Sequence, residues 1–120
     1  MKTVVVVDDS AVMRKLVSTM LSNIGFNVIG EANSGESGVQ LYTELRPDII
    51  TLDVIMGKIS GLDALKQIME IDKSAQVIMI SSMAQKPIVQ EAVSCGAKGF
   101  IIKPFDEFDV KRAMSKVLNS

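Results

Sequence analysis

Short apolar runs alternate along this chain with longer segments of helical period. Four runs contain few polar residues and are rich in valine and isoleucine, which is typical of strands buried on both faces of a parallel sheet. They lie at residues 4–7, 49–52, 77–80 and 100–102. A weaker candidate at residues 27–32 contains a glycine and a glutamate, and its mixed composition predicts an edge strand.

Five segments that follow these strands have apolar residues spaced as in amphipathic helices. In the first, apolar residues recur at i, i+3, i+4, i+7, i+8 and i+11 and so share one face; they are Met13, Leu16, Val17, Met20, Leu21 and Ile24. We predict N-caps at Ser10, Ser34 and Asp106, because short polar side chains accept hydrogen bonds from the first free N–H groups of a helix. The third and fourth helices are predicted at residues 61–71 and 85–95.

The alternation predicts a (βα)5 arrangement, which is a three-layer α/β domain. Short connections favour a parallel five-stranded sheet with right-handed crossovers. A length of 120 residues fits one domain, so we predict that residues 1–120 form a single unit. With a flavodoxin-like strand order of 2-1-3-4-5, the first and third strands are neighbours at the point where the order reverses.

Composition narrows the possible functions. The chain has 13 basic and 14 acidic residues and a formal net charge of −1, which argues against a nucleic-acid or membrane surface. Cys95 is the single cysteine and no stretch is apolar enough to span a bilayer, so we expect a cytoplasmic protein in a reducing compartment. The absence of histidine excludes a Ser-His-Asp triad, histidine-ligated zinc and a phosphohistidine on this chain.

Polar residues follow four of the apolar strands. Ligands of open α/β sheets bind at the carboxyl ends of the strands, so we expect these side chains to meet at one edge; they are Asp8, Asp9, Asp53, Ser81 and Lys103. Each of them alone would fit a helix N-terminus, a turn or an exposed loop. Only their convergence on one edge indicates a site.

The expected site contains three carboxylates, which repel one another by roughly 4 kcal/mol per pair at about 4 Å and an effective dielectric constant near 20. This repulsion is relieved when one carboxylate is protonated or when a hard cation binds. A site of oxygen ligands with few protein groups suits Mg²⁺, which keeps several waters and often binds phosphate oxygens. A nucleophilic carboxylate together with a cation, Lys103 and the Ser81 hydroxyl indicates phosphoryl transfer to an aspartate.

In these residues the chain resembles the receiver domains of two-component response regulators. The matching motifs are Val-Asp8-Asp9-Ser10, Thr-Leu-Asp53, Ser81, Gly-Ala-Lys-Gly-Phe100 and Lys103-Pro104-Phe105. They extend over the whole chain and, with no effector segment beside them, are most similar to stand-alone chemotaxis regulators of the CheY type. The resemblance implies the CheY-like form of the flavodoxin-like fold and a phosphorylation-activated switch, which is not an enzyme beyond its own phosphorylation and dephosphorylation.

The resemblance assigns a chemical role to the acidic positions. Asp53 would accept the phosphoryl group. Asp9 and Asp53 would bind Mg²⁺ directly and Asp8 would help through a water molecule, while Ile55 would contribute its backbone carbonyl.

The remaining matched positions would form the switch. Lys103 would pair with the phosphoryl group, and its peptide bond to Pro104 would be cis. Ser81 would move to bond the phosphoryl group, and Phe100 would swing into the space that this movement releases.

Three features depart from the usual pattern of the family. Gly57 stands where a proline is usual, so the loop after Asp53 lacks one restraint on φ. Phe100 replaces the tyrosine of the best-known chemotaxis regulators and has no hydroxyl to bond. Ile55 and Met83 are both apolar and flank the site, and we hypothesise that they hinder the attacking water and slow the loss of the phosphoryl group.

The resemblance also implies partners. A histidine kinase, similar to CheA, would be the phosphodonor. The face formed by the fourth helix, the fifth strand and the fifth helix would bind a flagellar motor switch protein or another target, and a phosphatase is a further possible partner. We expect a monomer that binds neither nucleic acid nor membrane. The alternative within this class is a phosphorelay intermediate that passes the phosphoryl group to another histidine protein.

Two functions from other protein classes, a phosphatase and a flavin-binding module, fit the residues less well. A haloacid-dehalogenase phosphatase would need a second aspartate as general acid two residues after the nucleophile, where this chain has Ile55. A flavodoxin-type flavin module would need a phosphate-binding loop after the first strand, where Asp8 and Asp9 would repel a phosphate.

Overall fold

The computed structural model describes residues 1–57, 59–82 and 85–119. Within these residues five strands and five helices alternate, as the sequence predicts. In chain order they are β1 (Thr3–Val7), α1 (Ala11–Asn23), β2 (Asn27–Ala32), α2 (Gly35–Leu45), β3 (Ile49–Asp53), α3 (Gly61–Ile71), β4 (Val77–Ser81), α4 (Lys86–Ser94), β5 (Gly99–Ile102) and α5 (Glu107–Leu118).

The five strands form one parallel sheet in the order β2-β1-β3-β4-β5, which confirms the predicted fold class. The weak strand β2 lies at one edge and β5 at the other. At their carboxyl ends, β3 and β4 extend one residue further than their apolar runs, because the ladder continues through polar residues: Asp53 pairs with Ile80, and Ser81 pairs with Ile102. The sheet itself therefore fixes the backbone of two candidate site residues.

Two hydrophobic clusters lie on opposite sides of the sheet. Successive residues of a strand point to opposite faces, so in β1 Val5 packs into the first cluster and Val4 into the second. The first cluster includes Leu65 of α3, and the second includes Leu21 of α1 and Met114 of α5. Uninterrupted apolar runs are needed because both faces of each central strand are covered.

The three predicted N-caps are present. Ser10 accepts a hydrogen bond from Met13 N–H, Ser34 caps α2 in the same way, and Asp106 forms a capping box with Asp109. Such caps satisfy N–H groups that have no partner within the helix. They set the points at which the chain leaves the site edge of the sheet and enters α1 and α5.

The apolar face of α1 is covered only in part. Val17 and Leu21 are buried, whereas Leu16 on the predicted face is 40% exposed and neighbouring Val12 is 78% exposed. Helical periodicity predicts which residues share a face but not how far the sheet extends beneath it. In the part of the chain that the structure describes, no helix has the length and hydrophobicity needed to cross a membrane.

Candidate functional site

The three aspartates predicted to converge do meet at the carboxyl edge of the sheet. Asp8 directly follows β1 and Asp53 is the last residue of β3, and these strands are neighbours. Carboxylate oxygens of Asp8, Asp9 and Asp53 all lie within 4.8 Å of one another. Asp8 and Asp53 are buried, while Asp9 is exposed to solvent.

Lys103 reaches this cluster from the loop that follows β5. Its Nζ lies 3.2 Å from Oδ2 of Asp53 and 3.8 Å from Oδ2 of Asp8. The backbone N–H of Lys103 donates to the carbonyl of Ser81 at 2.9 Å, which ties this loop to the end of β4. The Lys103–Pro104 peptide bond is cis, the isomer that the resemblance implies.

The electrostatics of the cluster favour a cation. Burial raises the pKa of Asp8, and the neighbouring Asp53 and Asp9 carboxylates raise that pKa further. A hydrogen bond from Ser10 N–H at 2.9 Å and the charge of Lys103 partly offset these effects. One lysine does not neutralise three carboxylates, and hard oxygen donors that carry excess negative charge fit Mg²⁺.

The backbone after Asp53 is held by a glycine that sequence analysis did not assign to the site. Gly61 opens α3 and donates its N–H to the carbonyl of Val54 at 2.7 Å. A Cβ atom at Gly61 would lie 2.0 Å from the carbonyl oxygen of Asp53, a distance that real atoms do not adopt. Glycine at the start of a predicted helix was the only available signal, and it does not reveal this contact.

Arg14 is a second residue that sequence analysis missed. It lies in the first turn of α1, and its Nη1 donates to the backbone carbonyl of Asp8 at 2.8 Å. Its Nε lies 3.6 Å from Oε1 of Glu31 at the end of β2. Nothing in the local sequence predicts these contacts, because they depend on how α1 packs beside the sheet.

The predicted switch residues lie on β4 and β5. Ser81 is buried at the end of β4, and Phe100 is half-buried in β5, where it packs against the cluster on the α3 side of the sheet. The side chain of Ile55 is exposed, and its N–H lies 3.4 Å from Oδ1 of Asp53. The role of the Ile55 carbonyl as a metal ligand stays a prediction, and Met83 lies outside the described residues.

Comparison with known proteins identifies proteins that are similar to this chain over nearly its whole length. The profile of the response regulator receiver domain matches residues 4–115. Chemotaxis protein CheY of Thermotoga maritima is 45% identical and that of Bacillus subtilis 42% identical, each over 97% of this chain and 97% of the relative. The solved structure of a CheX–CheY–BeF3–Mg²⁺ complex from Borrelia burgdorferi superposes with a TM-score of 0.95 at 39% identity, and covers 98% of this chain and 89% of that one.

Proposed function

This chain belongs to the response regulator receiver domain family, and we propose that it is a single-domain response regulator whose phosphoacceptor is Asp53. The observation that carries the proposal is the placement of Lys103 Nζ within 4 Å of both Asp53 and Asp8 in a cluster of three carboxylates. This arrangement combines a nucleophile with a fixed positive charge and an acidic cation site. Phosphoryl transfer needs these groups and little other chemistry from the protein.

Asp53 acts as the nucleophile. A carboxylate oxygen forms a bond to phosphorus while the bond between phosphorus and the histidine nitrogen of the donor breaks, and the donor leaves as neutral imidazole after taking up a proton. Lys103, now 3.2 Å from Asp53, moves its charge to the incoming phosphoryl oxygens. Asp9, Asp53 and the Ile55 carbonyl would hold Mg²⁺, and Asp8 would assist through a water molecule. When it is bound, Mg²⁺ neutralises the carboxylates and screens the charge of the phosphoryl group.

The protein turns over no external substrate under this proposal. It catalyses only the gain and loss of its own phosphoryl group, and its output is a change in protein binding. Ser81 and Phe100 respond to the phosphoryl group, and they lie on adjacent strands that lead to the α4–β5–α5 face. The similarity to relatives named chemotaxis protein CheY supports a role in chemotaxis.

The α4–β5–α5 face has the features of a protein-binding surface. Ile102 is 48% exposed there and Val93 of α4 is 61% exposed. A groove beside β5 is lined by the basic residues Lys98, Arg112 and Lys116 and by Asp109, which lies 3.4 Å from Arg112. Apolar contacts surrounded by positive charge favour a segment with apolar and acidic residues. We propose that a flagellar motor switch protein binds here, that a CheA-like histidine kinase is the phosphodonor, and that the protein acts as a cytoplasmic monomer.

The first experiment measures intact mass after incubation with acetyl phosphate and Mg²⁺. The wild type should gain one labile phosphoryl group, and chelation of Mg²⁺ should abolish the gain. Asp53→Asn should gain nothing, whereas Asp63→Asn, which changes an exposed aspartate of α3, should gain the group as the wild type does. Modification of Asp53→Asn, or none in the wild type, would remove the basis of the proposal.

A binding measurement tests the assignment to chemotaxis. The motor switch protein of the source organism should bind the phosphorylated form more tightly than the unmodified form. Phosphorylation without any change in this binding, accompanied by transfer to a second histidine protein, would instead support the phosphorelay alternative.

A further inference from the structure

Arg14 occupies a position that helix stability alone does not explain. Positive charge is unfavourable near the N-terminus of a helix, where the macrodipole is positive, and the first turn of α1 contains no acidic residue that would compensate. The side chain is nevertheless only 20% exposed. It folds back toward the N-terminus of the helix, the direction that side chains of a helix take, and donates to Asp8.

The contact with Asp8 fixes the peptide unit that leads to Asp9. The carbonyl of Asp8 and the N–H of Asp9 belong to one planar peptide group, so a hydrogen bond to that carbonyl also sets the direction in which the chain enters Asp9. The bond is 2.8 Å long and carries a formal charge on its donor, which makes it stronger than a bond between neutral groups. The carboxylate of Glu31, which is 45% exposed, lies 3.6 Å from Nε of the guanidinium.

Asp9 depends on this backbone restraint more than its neighbours do. Asp8 is held by its N–H, which donates to Ala32, and by its carboxylate, which accepts from Ser10. Asp53 lies within β3 and pairs with Lys103. Asp9 is exposed, and within residues 1–57, 59–82 and 85–119 no hydrogen bond or ion pair to its carboxylate is found. The main chain therefore sets the point and the direction from which its side chain extends.

We propose that Arg14 is a positioning residue for the cation site. By holding the Asp8–Asp9 peptide, it keeps the Asp9 carboxylate close to those of Asp8 and Asp53, so that Mg²⁺ binds a site that is already formed. The inference rests on the proposed function, since it assigns Arg14 to the Mg²⁺ site of the phosphorylation reaction. Arg14 itself contacts neither the metal nor the phosphoryl group.

The direction in which Mg²⁺ affinity changes when Arg14 is replaced distinguishes a positioning role from a simple effect of charge. Arg14 places a positive charge beside an acidic site, so removal of that charge alone should tighten the binding of Mg²⁺. Loss of a positioning contact should weaken it instead. Outer-shell partners that orient metal ligands typically contribute tenfold or more to metal affinity.

The experiment is a calorimetric titration of the full chain with MgCl₂ in the absence of any phosphodonor. Arg14→Met keeps the apolar stem and removes the donors, and we expect its Kd for Mg²⁺ to rise roughly tenfold. Glu31→Gln is the matched control; it removes the ion pair but leaves the bond to Asp8, and its Kd should stay within about twofold of the wild type. Arg14→Gln provides a second variant if Arg14→Met does not fold, as judged by thermal unfolding.

A second measurement separates the formation of the site from the chemistry. With acetyl phosphate as donor, the Mg²⁺ concentration that gives half-maximal modification should rise in the Arg14 variants, while the rate at saturating Mg²⁺ stays near that of the wild type. An unchanged or tighter Kd in a folded Arg14 variant would overturn the inference. Failure of the wild type to bind Mg²⁺ would instead overturn the proposed function, so the two failures are distinguishable.

Discussion

Ile55 follows Asp53 by two residues, and its side chain is 57% exposed at the edge of the site. An apolar group of this size beside a phosphorylated Asp53 would not help to orient a water molecule for attack on phosphorus. A polar side chain at the same position would bring water into the site by hydrogen bonding. The hypothesis that Ile55 slows dephosphorylation therefore agrees with its exposure.

We predict that Ile55→Asn speeds the loss of the phosphoryl group by a factor of roughly three to ten, equivalent to about 0.7–1.4 kcal/mol in the barrier. The decay of the phosphorylated form after removal of the donor, followed by intact mass, measures this rate. Ile71→Asn alters a partly exposed isoleucine at the far end of α3 and should leave the rate unchanged. Equal decay rates for Ile55→Asn and the wild type would rule the hypothesis out.

At the scale of secondary-structure elements, the start of α3 supports the end of β3. Gly61 lies against the carbonyl of Asp53, so α3 approaches β3 more closely than any side chain would allow. The loop between them contains Gly57, whose surroundings leave an added Cβ free of contacts within 4 Å. A close contact therefore requires glycine at residue 61, whereas no such contact requires glycine at residue 57.

We predict that Gly61→Ala lowers the free energy of unfolding by about 2 kcal/mol or more, because the new methyl group must displace the backbone of β3 or α3. Phosphorylation of Asp53 should slow in the same variant. Gly57→Ala serves as the control and should be neutral or stabilise by up to about 1 kcal/mol, since it reduces the freedom of the unfolded chain. Urea denaturation of both variants measures these values, and a stable Gly61→Ala protein would contradict the inferred contact.

At the scale of the whole molecule, polar contacts connect the ends of α2 and α3 on the side of the sheet away from the site. The hydroxyl of Tyr42 in α2 donates to Asp72 just after α3 at 2.7 Å, and Arg46 lies 3.5 Å from the same carboxylate. Hydrogen bonds from Ser74 and Tyr42 hold the pKa of Asp72 below its usual value. Burial and the bond to Asp72 raise the pKa of Tyr42, so this tyrosine remains a neutral donor.

This link predicts how stability depends on pH. A carboxyl with a lowered pKa binds protons less readily in the folded than in the unfolded protein, so its contribution is present above the unfolded pKa of about 3.9 and is lost as the pH falls through the folded pKa. Tyr42→Phe should therefore destabilise the protein by about 1 kcal/mol at pH 7, and the difference should shrink below about pH 4. Urea denaturation across this range tests the prediction, and a difference that grows with acidity would contradict it.

Charge is distributed unevenly over the molecule although the net charge is −1. Three carboxylates lie together at the site, whereas several basic side chains line the groove beside β5. Such a separation favours cations at the acidic site and acidic segments at the basic groove. The net charge alone does not reveal this separation.

The sequence by itself determined the elements, their order and the identity of the charged groups at the strand ends. Apolar runs, helical spacing and caps such as Ser10 depend on residues a few positions apart, so local rules are sufficient to predict them. The parallel topology then places Asp8, Asp53 and Lys103 at one edge of the sheet, which made the main part of the candidate site predictable.

Only the tertiary structure decided which groups touch. Lys103 and Asp53 are 50 residues apart in the sequence and 3.2 Å apart in space. The contacts of Arg14 with Asp8 and Glu31 depend on how α1 packs beside β1 and β2. The same packing leaves Leu16 partly exposed on a face that periodicity assigns to the core. Periodicity sets the direction in which a side chain leaves its helix or strand. The packing of helices and strands against one another decides which groups that side chain contacts.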